Sequence, residues 1–595
     1  MNITFYKEER FKDTPIGKIP EEWRIVKFGD VCKFKRGFSY RSNQITKEPT
    51  KIRFITINDV EKEGGLKQGA ERIYIKEDVN VNPSFFLEKE DVLIANTDMS
   101  KGFIIGAPIL IENLEDKLVY SMDLTKLIFN KSEINSKFLF YYLTHKPVRQ
   151  RMKSFAQGTN VLHLNLNLVR NMKIPLPPLE EQKAIAYVLS TVDKAIQKTN
   201  EIIEKVKRLK KGLMQKLLTR GVTLGFMFDT NIFDEILNER IELPQGLKYY
   251  VTHVQLDEIL NMPDSMRERK EKLLKLFHKV PKDLIATEGV VYGVSRYDMA
   301  KYMSDEDAEL YEKMLRRLRA LDGKSGKRKS FENQIRDVLI ALTCLKNCLT
   351  LVTNDKNLKI VAQEFGCPAI TFKQFLRGEY REYKNTEIGR IPKEWKVVAL
   401  EEVSLKIKTG PFGSQLKKSK LSETGVKVYT QENVLKKNFS IGNLYINYDK
   451  FKKLKSMEVK PGDVLLTIRG TTGFSAVFPE NAERGIIHTN LAFVRVKTDL
   501  LYPEYLSILI NDYSIVKSQI VTLSSATTLG ALYAKHIKRI KIPLPSLSEQ
   551  QKITKILLTV DKRLEVERKR KEKLERIKKA LMDLLLTGKV RVKVY

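Results

Sequence analysis

Residues 14–31 read TPIGKIPEEWRIVKFGDV, and residues 386–403 read TEIGRIPKEWKVVALEEV. Both stretches follow the pattern IGxIPxxW, and the only two tryptophans of the chain, Trp23 and Trp395, lie at equivalent places in them. A second matching pair follows, with NMKIPLPPLEEQKAIAYVLSTVDKAI at residues 171–196 and RIKIPLPSLSEQQKITKILLTVDKRL at residues 539–564. The chain is therefore an internal repeat of two long copies.

The repeat predicts the domain organisation. Each copy has a globular part followed by a helix of about 40 residues, and the stretch between the copies matches neither of them. We predict a first globular domain at residues 1–175, a first long helix at 176–222, an inserted domain at 223–380, a second globular domain at 381–543 and a second long helix at 544–595.

Both long helices carry one narrow apolar stripe, with steps of three, four and seven residues. A rod of roughly 60 Å with a single stripe needs a partner rod. The other copy's helix has the same stripe, so we predict an intramolecular antiparallel coiled-coil pair. Ser548 and Gln551 have the spacing of a capping box at the start of the second helix.

The charge balance indicates a polyanionic partner. Lys and Arg number 106 against 73 acidic residues, which gives a net charge of +33 and a pI near 9.6. Neutralised phosphates release condensed counterions, so a nucleic acid is the simplest explanation. A surface rich in Lys and Glu, as in thermophiles, is the alternative, but it would not be so one-sided.

Four cysteines are too few for a disulfide scaffold, and none has metal-site spacing with a fourth ligand. They are predicted to be buried thiols. No stretch of about 18 uncharged apolar residues exists, and the N-terminus does not read as a secretory signal. We therefore expect a cytoplasmic protein.

The fold class predicted for the whole chain is multidomain, α+β and α/β. In the globular copies, stretches such as FITINDV, DVLIAN and LAFVRV alternate with glycine-rich turns, which indicates mixed α/β domains. The order of globular domain and long helix, repeated twice, resembles the DNA-specificity subunits of type I restriction-modification systems. The IGxIPxxW opening and the IPLPxLxEQ…LLT helix signature carry this resemblance.

The resemblance implies a DNA-binding function without modification chemistry in this chain. Each globular copy would be a target-recognition domain that reads half of a bipartite site in double-stranded DNA. The helix pair would set the spacing and dock methyltransferase subunits, which use S-adenosylmethionine. A restriction and translocase subunit that uses ATP would complete this prokaryotic defence complex.

Residues that could contact DNA are polar and basic side chains in predicted loops, because base readout needs forked donors or amides and phosphate contacts need cations or hydroxyls. An ordinary solvated loop residue is an equal alternative for each of them. The candidates are Arg36, Tyr40, Arg41, Asn43, Gln44, Gln157, Asn160, Ser414, Gln415, Lys417, Lys418 and Thr527.

The insert contains two strand-to-helix junctions that carry an acid, a hydroxyl and an amide. The first is Asp229-Thr230-Asn231 and the second is Thr353-Asn354-Asp355. Such junctions meet at the carboxyl ends of parallel strands. Two further acids on predicted helices, Glu258 and Asp337, complete a set of four, although Asp257 competes with Glu258 for that assignment.

This arrangement resembles the PIN domain family of metal-dependent nucleases. The resemblance implies an α/β fold, with Asp229, Glu258, Asp337 and Asp355 as catalytic residues and ligands of Mg²⁺ or Mn²⁺, and with Asn231, Thr353 and Asn354 in support. Hard oxygen donors suit these cations. Family analogy favours RNA over DNA as the substrate, and the alternative is a DNA-binding scaffold with a catalytically silent insert.

Overall fold

A computed structural model describes residues 3–594 apart from residues 68, 99–101, 115–116, 223–224, 240, 245, 327–328, 412, 417–421 and 526–529. The chain forms two compact units. Unit 1 comprises Met1–Lys205 with Leu564–Tyr595, and unit 2 comprises Val206–Arg563. Each unit therefore contains one globular copy with part of both long helices, and unit 2 also contains the insert.

The first copy is built from short strands, small helices and the first long helix. Its elements are β1 (Ile3–Lys7), β2 (Phe11–Lys12), β3 (Ile19–Pro20), β4 (Arg24–Lys27), α1 (Phe28–Val31), β5 (Cys32–Arg36), β6 (Ile45–Thr46), β7 (Ile52–Ile55), β8 (Ile73–Ile75), β9 (Val92–Ala95), β10 (Thr97–Asp98), β11 (Pro108–Leu110), β12 (Lys117–Tyr120), β13 (Leu124–Phe129), α2 (Ser136–Thr144), α3 (Lys146–Ser154), β14 (Ala156–Gln157), β15 (Leu162–Leu164), α4 (Leu166–Arg170), β16 (Lys173–Leu176) and α5 (Leu179–Arg220).

The insert alternates strands and helices. Its elements are β17 (Phe226–Phe228), α6 (Thr230–Glu239), β18 (Tyr249–Val251), α7 (His253–Leu260), α8 (Arg267–Lys279), β19 (Asp283–Leu284), α9 (Asp305–Ser325), α10 (Phe331–Asn347), β20 (Thr350–Val352), α11 (Lys356–Glu364), β21 (Ala369–Ile370) and α12 (Phe372–Leu376). All five strands are parallel, in the order β19-β18-β17-β20-β21. The strands after β17 are added toward one edge of the sheet, and the strands from β20 onward are added toward the other edge.

The second copy repeats the first. Its elements are β22 (Tyr383–Thr386), β23 (Gly389–Pro392), β24 (Lys396–Ala399), β25 (Ser404–Thr409), β26 (Val426–Tyr429), α13 (Gln431–Leu435), β27 (Tyr445–Ile446), α14 (Tyr448–Leu454), β28 (Val464–Thr467), β29 (Ser475–Val477), β30 (Gly485–Ile487), β31 (Leu491–Val496), α15 (Pro503–Asp512), α16 (Ser514–Ser525), α17 (Ala534–Lys538), β32 (Lys541–Leu544), α18 (Leu547–Leu585) and β33 (Val590–Val594).

The main sheets of the two copies have the same topology. The first copy has the order β11-β9-β13-β5, and the second has the order β29-β28-β31-β25, with antiparallel pairing throughout. The DVL sequences form β9 and β28, and every residue of these two strands is buried. Their continuous apolar runs fit strands that are covered on both faces.

In each unit an ion pair joins the two long helices, and the two ion pairs are equivalent in the repeat. In unit 1, Lys578 Nζ lies 2.6 Å from Asp193 Oδ1. In unit 2, Lys210 Nζ lies 2.6 Å from Asp561 Oδ1. The early part of one helix meets the late part of the other in both units, so the pair is antiparallel, as the sequence predicts. This pairing is also why each unit combines segments that are distant in the sequence.

A buried cluster joins the two ends of the chain in unit 1. Trp23 Nε1 donates to Glu181 Oε2 at 3.0 Å, and Arg591 donates to the two oxygens of the same carboxylate at 2.6 and 2.9 Å. Next to this cluster, β33 pairs antiparallel with β1. The ion pair and the strand pair therefore close the first copy.

The equivalent cluster in unit 2 holds both ends of the insert. Trp395 Nε1 donates to Glu549 Oε2 at 2.9 Å, and Arg381 donates to the two oxygens of Glu549 at 2.8 and 2.9 Å. The backbone N–H of Val222 donates to the same carboxylate at 2.7 Å. Arg381 thus has the role that Arg591 has in unit 1, and the insert enters and leaves at one point.

The insert also packs directly on the second copy. The side chain of Cys348 lies in the same apolar core as Trp395, Ile553 and Leu557. Ser548 Oγ donates to the carbonyl of Leu345, at the end of α10, at 2.8 Å. The insert is therefore fixed to the start of α18 by an apolar contact and by a hydrogen bond, in addition to its two chain connections.

Two predictions about the second long helix are wrong. The helix ends at Leu585 and does not reach the chain end, because the valines of the VRVKV sequence extend into β33 and pair with β1. The helix also begins at Leu547, so Ser548 and Gln551 do not form a capping box. The hydroxyl of Ser546 accepts the N–H of Glu549 at 3.4 Å instead.

The four cysteines are buried and unpaired, as predicted. Among the described residues, no helix is both long enough and apolar enough to cross a membrane.

Candidate functional sites

Two of the four predicted acids lie at the carboxyl edge of the parallel sheet of the insert. Asp229 directly follows β17, and Asp355 is the N-cap of α11 beyond β20. β17 and β20 are neighbours in the sheet. The strand that follows β17 in sequence, β18, lies toward one edge of the sheet, and the strand that follows β20, β21, lies toward the other edge. Such a change of direction opens a crevice between the helices that follow the two strands, and ligands bind there in α/β sheets.

The other two acids approach the same crevice from helices. The hydroxyl of Thr230 donates to the carboxylate of Glu258 on α7, while Asp337 projects from α10. The neighbouring Asp257 forms an ion pair with Arg296 instead. The local geometry therefore favours Glu258 over Asp257 as the fourth acid of the group.

Burial and mutual repulsion raise the pKa values of these carboxyls. Burial is the largest cause for Asp229, Glu258 and Asp337. The charge of Asp229 raises the pKa of Glu258 and of Asp337 further, and the pKa of Asp337 lies well above the usual range of an aspartate. Buried like charges destabilise their ionised forms unless a cation is close.

A lysine that the sequence analysis did not identify supplies a positive charge. Lys329 Nζ lies 2.5 Å from Asp337 Oδ2 and 2.7 Å from Asp355 Oδ2. Burial alone would lower the pKa of Lys329, but the two carboxylates raise it. No spacing or periodicity indicated this residue, because it lies in an irregular stretch before α10 and reaches the acids only in the folded chain.

The supporting polar residues are divided between two places. Thr353 Oγ1 and Asn231 Nδ2 each donate to Asp229 Oδ2 at 2.7 Å. The Asn354 side chain instead donates to Glu235 on α6 and accepts the N–H of Phe372 at 3.1 Å. Asn354 therefore ties α6 to α12 by hydrogen bonds, whereas Thr353 and Asn231 orient a carboxylate of the site.

The donor set suits a hard cation, but the described part of the chain has no group of three or more His, Cys, Asp or Glu side chains arranged to hold a metal ion. The ammonium group of Lys329 contacts both Asp337 and Asp355. An ammonium group is thus the cation that these carboxylates hold in this structure.

The candidate DNA-binding residues of the first copy fall into two segments. Gln157 ends β14, rather than lying in a loop as predicted, and Asn160 lies between β14 and β15; both are exposed. Arg36 ends β5, again not in a loop, and Arg41 and Asn43 follow it; all three are exposed. These five side chains can reach a ligand from solvent.

Two other candidates of the first copy have structural contacts. The ring of Tyr40 packs edge-on against Phe54, with ring centroids 4.8 Å apart. The side-chain oxygen of Gln44 accepts the backbone N–H of Arg41 at 2.8 Å. Tyr40 and Gln44 therefore shape the segment after β5 that presents Arg41 and Asn43.

The candidates of the second copy are only partly described. Ser414 and Gln415 lie in a short 3-10 helix, Gly413–Leu416, and Gln415 is exposed. Lys417, Lys418 and Thr527 lie outside the described residues.

The same backbone hydrogen bond ties an equivalent point of each copy to the end of a main-sheet strand. In unit 1, the N–H of Leu164 donates to the carbonyl of Asn96 at 2.7 Å, and in unit 2 the N–H of Leu532 donates to the carbonyl of Ile468 at 3.0 Å. Asn96 directly follows β9, and Ile468 directly follows β28. The two copies therefore share one backbone contact at the ends of equivalent strands.

A family model described as the type I restriction modification DNA specificity domain matches residues 20–208 and 392–576, more than half of the chain. The chain belongs to this family. The two matched ranges are the two copies of the repeat, so each copy is a DNA-specificity domain with its long helix.

Other specificity subunits resemble this one. That of the MjaVIII type I restriction enzyme of Methanocaldococcus jannaschii is 24% identical over 605 residues, covering 99% of this chain and 98% of that protein. That of the EcoKI enzyme of Escherichia coli is 24% identical over 217 residues, covering 35% of this chain and 44% of that protein. The crystal structure of the type I S subunit from M. genitalium covers 95% of this chain and 96% of that chain, at 14% identity and a TM-score of 0.45.

Proposed function

We propose that this specificity subunit reads a bipartite site in double-stranded DNA, one half with each copy, and docks methyltransferase subunits on its helix pair. The observation that carries the proposal is the repeat itself, because two domains of equal topology read two half-sites when a spacer fixes their distance. The net charge of +33 supplies the attraction to phosphates that such binding needs. Restriction and translocation belong to a further, ATP-dependent partner.

The test is co-expression with the methyltransferase subunit of the same system, followed by sequencing of modified bases in the host DNA. A motif of two short specified segments separated by unspecified bases supports the proposal. A single undivided motif, or no modification together with no association between the subunits, contradicts it.

We further propose that the insert is a PIN-like endonuclease that depends on Mg²⁺ or Mn²⁺. Four acids that meet at the direction change of a parallel sheet carry this proposal, supported by the order β19-β18-β17-β20-β21. The oxygen donors of Asp229, Glu258, Asp337 and Asp355 match the ligand preference of these cations. Once Lys329 leaves the space between Asp337 and Asp355, these four side chains would hold the cation.

The roles of the chain's own residues follow from their contacts. Thr353 and Asn231 both donate to one oxygen of the Asp229 carboxylate, and Thr230 donates to Glu258 and orients it. A bound divalent cation supplies a Lewis acid that lowers the pKa of water and neutralises charge on a phosphodiester. A carboxylate that binds the cation through one oxygen can accept the proton of the attacking water on its other oxygen.

Cleavage of labelled single-stranded RNA and DNA by the purified full chain, with Mg²⁺ or Mn²⁺, tests this function. Asp229→Asn and Asp355→Asn should each abolish cleavage. Asp257→Asn is the matched control, because this neighbouring acid pairs with Arg296 outside the site and should leave cleavage unchanged. Cleavage that survives in the first two variants comes from a contaminant and contradicts the proposal.

One observation favours a second candidate, a scaffold with a silent insert. Lys329 already neutralises Asp337 and Asp355 by direct contact, and a lysine held there permanently would exclude a metal ion. In that case no cleavage of RNA or DNA occurs, and Mn²⁺ neither binds to the insert nor raises its melting temperature.

A further inference from the structure

Three strand ends and one turn meet at a single place in each copy. In the first copy they are the ends of β5, β7 and β9 and the turn before β13. In the second copy they are the ends of β25, β26 and β28 and the turn before β31. Each of these two sets is called a strand-end frame below.

Four pairs of backbone hydrogen bonds hold the two strand-end frames in the same form. The N–H groups and the carbonyls that accept them are Gly37 to Leu124 (3.0 Å) and Gly410 to Leu491 (2.7 Å), Ser121 to Ile55 and His488 to Tyr429 (both 2.8 Å), Leu124 to Ser121 (2.9 Å) and Leu491 to His488 (3.0 Å), and Asn96 to Asp123 (2.7 Å) and Ile468 to Asn490 (2.9 Å). A Cβ at Gly37 would clash with the carbonyl of Ser121, and one at Gly410 would clash with that of His488. The two frames can therefore be compared position by position.

The side chains differ at two neighbouring positions of this shared frame. In the first copy, the hydroxyl of Thr97 donates to Asp123 Oδ1 at 2.8 Å. The strand pairing places Arg469 at the position of Thr97 and Asn490 at the position of Asp123. The second copy therefore has a guanidinium and an amide where the first copy has a hydroxyl bonded to a carboxylate.

This exchange leaves Arg469 with its charge and its donors unused. The carboxylate of Asp123 could neutralise a guanidinium, but the amide of Asn490 at the same position cannot. Among the described residues, no carboxylate forms an ion pair with Arg469, and its buried Nε has no hydrogen-bond acceptor. Buried donors without a partner are exceptions in native proteins. The half-buried side chain of Arg469 is thus available to an acceptor from outside the chain.

The backbone that carries Arg469 is held in place. The N–H of Gly473 donates to the carbonyl of Thr467 at 3.0 Å, which closes the short loop between them. The side-chain amide of Gln431, which directly follows β26, donates to the carbonyl of Arg469 itself. A donor on a fixed backbone loses little freedom when it binds a ligand.

We propose that Arg469 reads a guanine in the half-site recognised by the second copy. The forked N–H donors of an arginine match the O6 and N7 acceptors of guanine in the major groove. The first copy has no such donors at this position, because Thr97 is bonded to Asp123 there. The two copies thus read different half-sites from one backbone frame. This inference rests on the proposed recognition of DNA by the two copies.

The test compares the methyltransferase complex of the full chain with complexes that carry two alterations. Arg469→Ala removes the donors. The double variant Arg469→Thr with Asn490→Asp re-creates the Thr97–Asp123 pair, so it should fold as the first copy does. Modified-base sequencing of each complex should show one specified guanine lost from one half of the motif, with the other half unchanged. The preference for target DNA over a duplex altered at that base pair should fall about tenfold to a hundredfold.

Titrations at several salt concentrations separate a base contact from a phosphate contact. Loss of a phosphate contact weakens binding to every duplex and lowers the salt dependence by about one unit of slope, whereas Arg469→Ala should leave the slope unchanged. Arg484→Ala is the matched control. This exposed arginine pairs with Glu458 and directly precedes β30, at the opposite end of that strand from the frame, so its loss should alter neither motif nor slope.

The proposal is overturned if both variants, with unchanged melting temperature and methyltransferase association, keep the complete motif and the preference for target DNA. Equal losses on target and altered duplexes, with a smaller salt slope, would assign Arg469 to a phosphate and also overturn it. A lower melting temperature in both variants would make Arg469 a structural residue, with the same consequence. The motif of the unaltered complex reports on DNA recognition independently, so failure of this inference is distinguishable from failure of the proposed function.

Discussion

Arg381 and Glu549 form a buried two-point ion pair, with their atoms 2.8 and 2.9 Å apart, at the base of the insert. The N–H of Val222 reaches the same carboxylate, so both flanks of the insert meet on one side chain. In unit 1 the consecutive residues Val590 and Arg591 occupy the equivalent place. The insert therefore interrupts the repeat between two residues that are normally adjacent.

Deletion of residues 223–380, with Val222 joined directly to Arg381, should give a folded specificity subunit. The junction recreates the Val-Arg sequence that closes unit 1, so no chain has to stretch. We expect unchanged association with the methyltransferase and an unchanged modification motif, measured by gel filtration and modified-base sequencing.

The matched control deletes one residue more, residues 223–381, and so removes Arg381. Glu549 and Glu394 then remain buried without their cation, and we expect aggregation or a much lower melting temperature. If both deletions behave alike, the ion pair does not define the junction.

Arg381→Ala in the full chain should lower the stability of unit 2 by about 3–5 kcal/mol, because it leaves buried carboxylates without a partner. Chemical denaturation followed by fluorescence of the buried tryptophans measures this change. The control is Arg390→Ala. The guanidinium of Arg390 stacks on Tyr383 at 5.0 Å from the ring centroid, and its removal should lower the stability of unit 2 by about 1 kcal/mol or less. Comparable losses for the two variants would contradict the assigned role of Arg381.

Lys329→Ala should strengthen divalent-cation binding to the insert. Without the ammonium group, Asp337 and Asp355 repel each other, so Mn²⁺ gains a favourable site and loses a competitor. Titration calorimetry should give a higher affinity than in the parent protein, with a larger rise in melting temperature on Mn²⁺ addition. Lys301→Ala removes an exposed lysine paired with Glu288 and should change neither quantity.

Glu382→Gln should destabilise unit 2 at neutral pH by about 2 kcal/mol, less than the full pKa shift implies, because water partly screens this carboxylate. Burial raises the pKa of Glu382, but hydrogen bonds from Lys359, Lys393 and two glutamines outweigh it and lower the pKa to about 2 from the ordinary 4.5. The ionised form therefore stabilises the fold above pH 4.5, and this stabilisation is lost as the pH falls toward 2.

Denaturation midpoints of the parent and of Glu382→Gln, measured between pH 3 and pH 7, check this prediction. The difference between the two proteins should be constant above about pH 5 and should narrow as the solution becomes more acidic. A difference that widens on acidification would mean that the carboxylate is not the stabilising form.

Much of the architecture follows from the sequence alone. The IGxIPxxW and IPLP repeats mark the two copies, and the apolar stripes indicate an antiparallel helix pair, which the Lys578–Asp193 and Lys210–Asp561 ion pairs realise. The acid, hydroxyl and amide junctions after two apolar runs place Asp229 and Asp355 at strand ends. These features are local or periodic, so they can be recognised before the chain is folded.

The remaining features depend on contacts between segments that are distant in the sequence. Lys329 reaches Asp337 and Asp355 only because α10 and α11 pack side by side, and Asn354 turns away from the acids because Glu235 and the N–H of Phe372 hold it.

The sequence by itself determined that the chain has two repeated copies, which resemble specificity subunits, around an acidic α/β insert, because repeats and strand-to-helix junctions can be recognised from the order of neighbouring residues. Only the tertiary structure decided that both ends of the insert meet at the Glu549 carboxylate and that a lysine neutralises the acids of the insert. Burial, ion pairing and backbone φ angles are properties of segments brought together by folding.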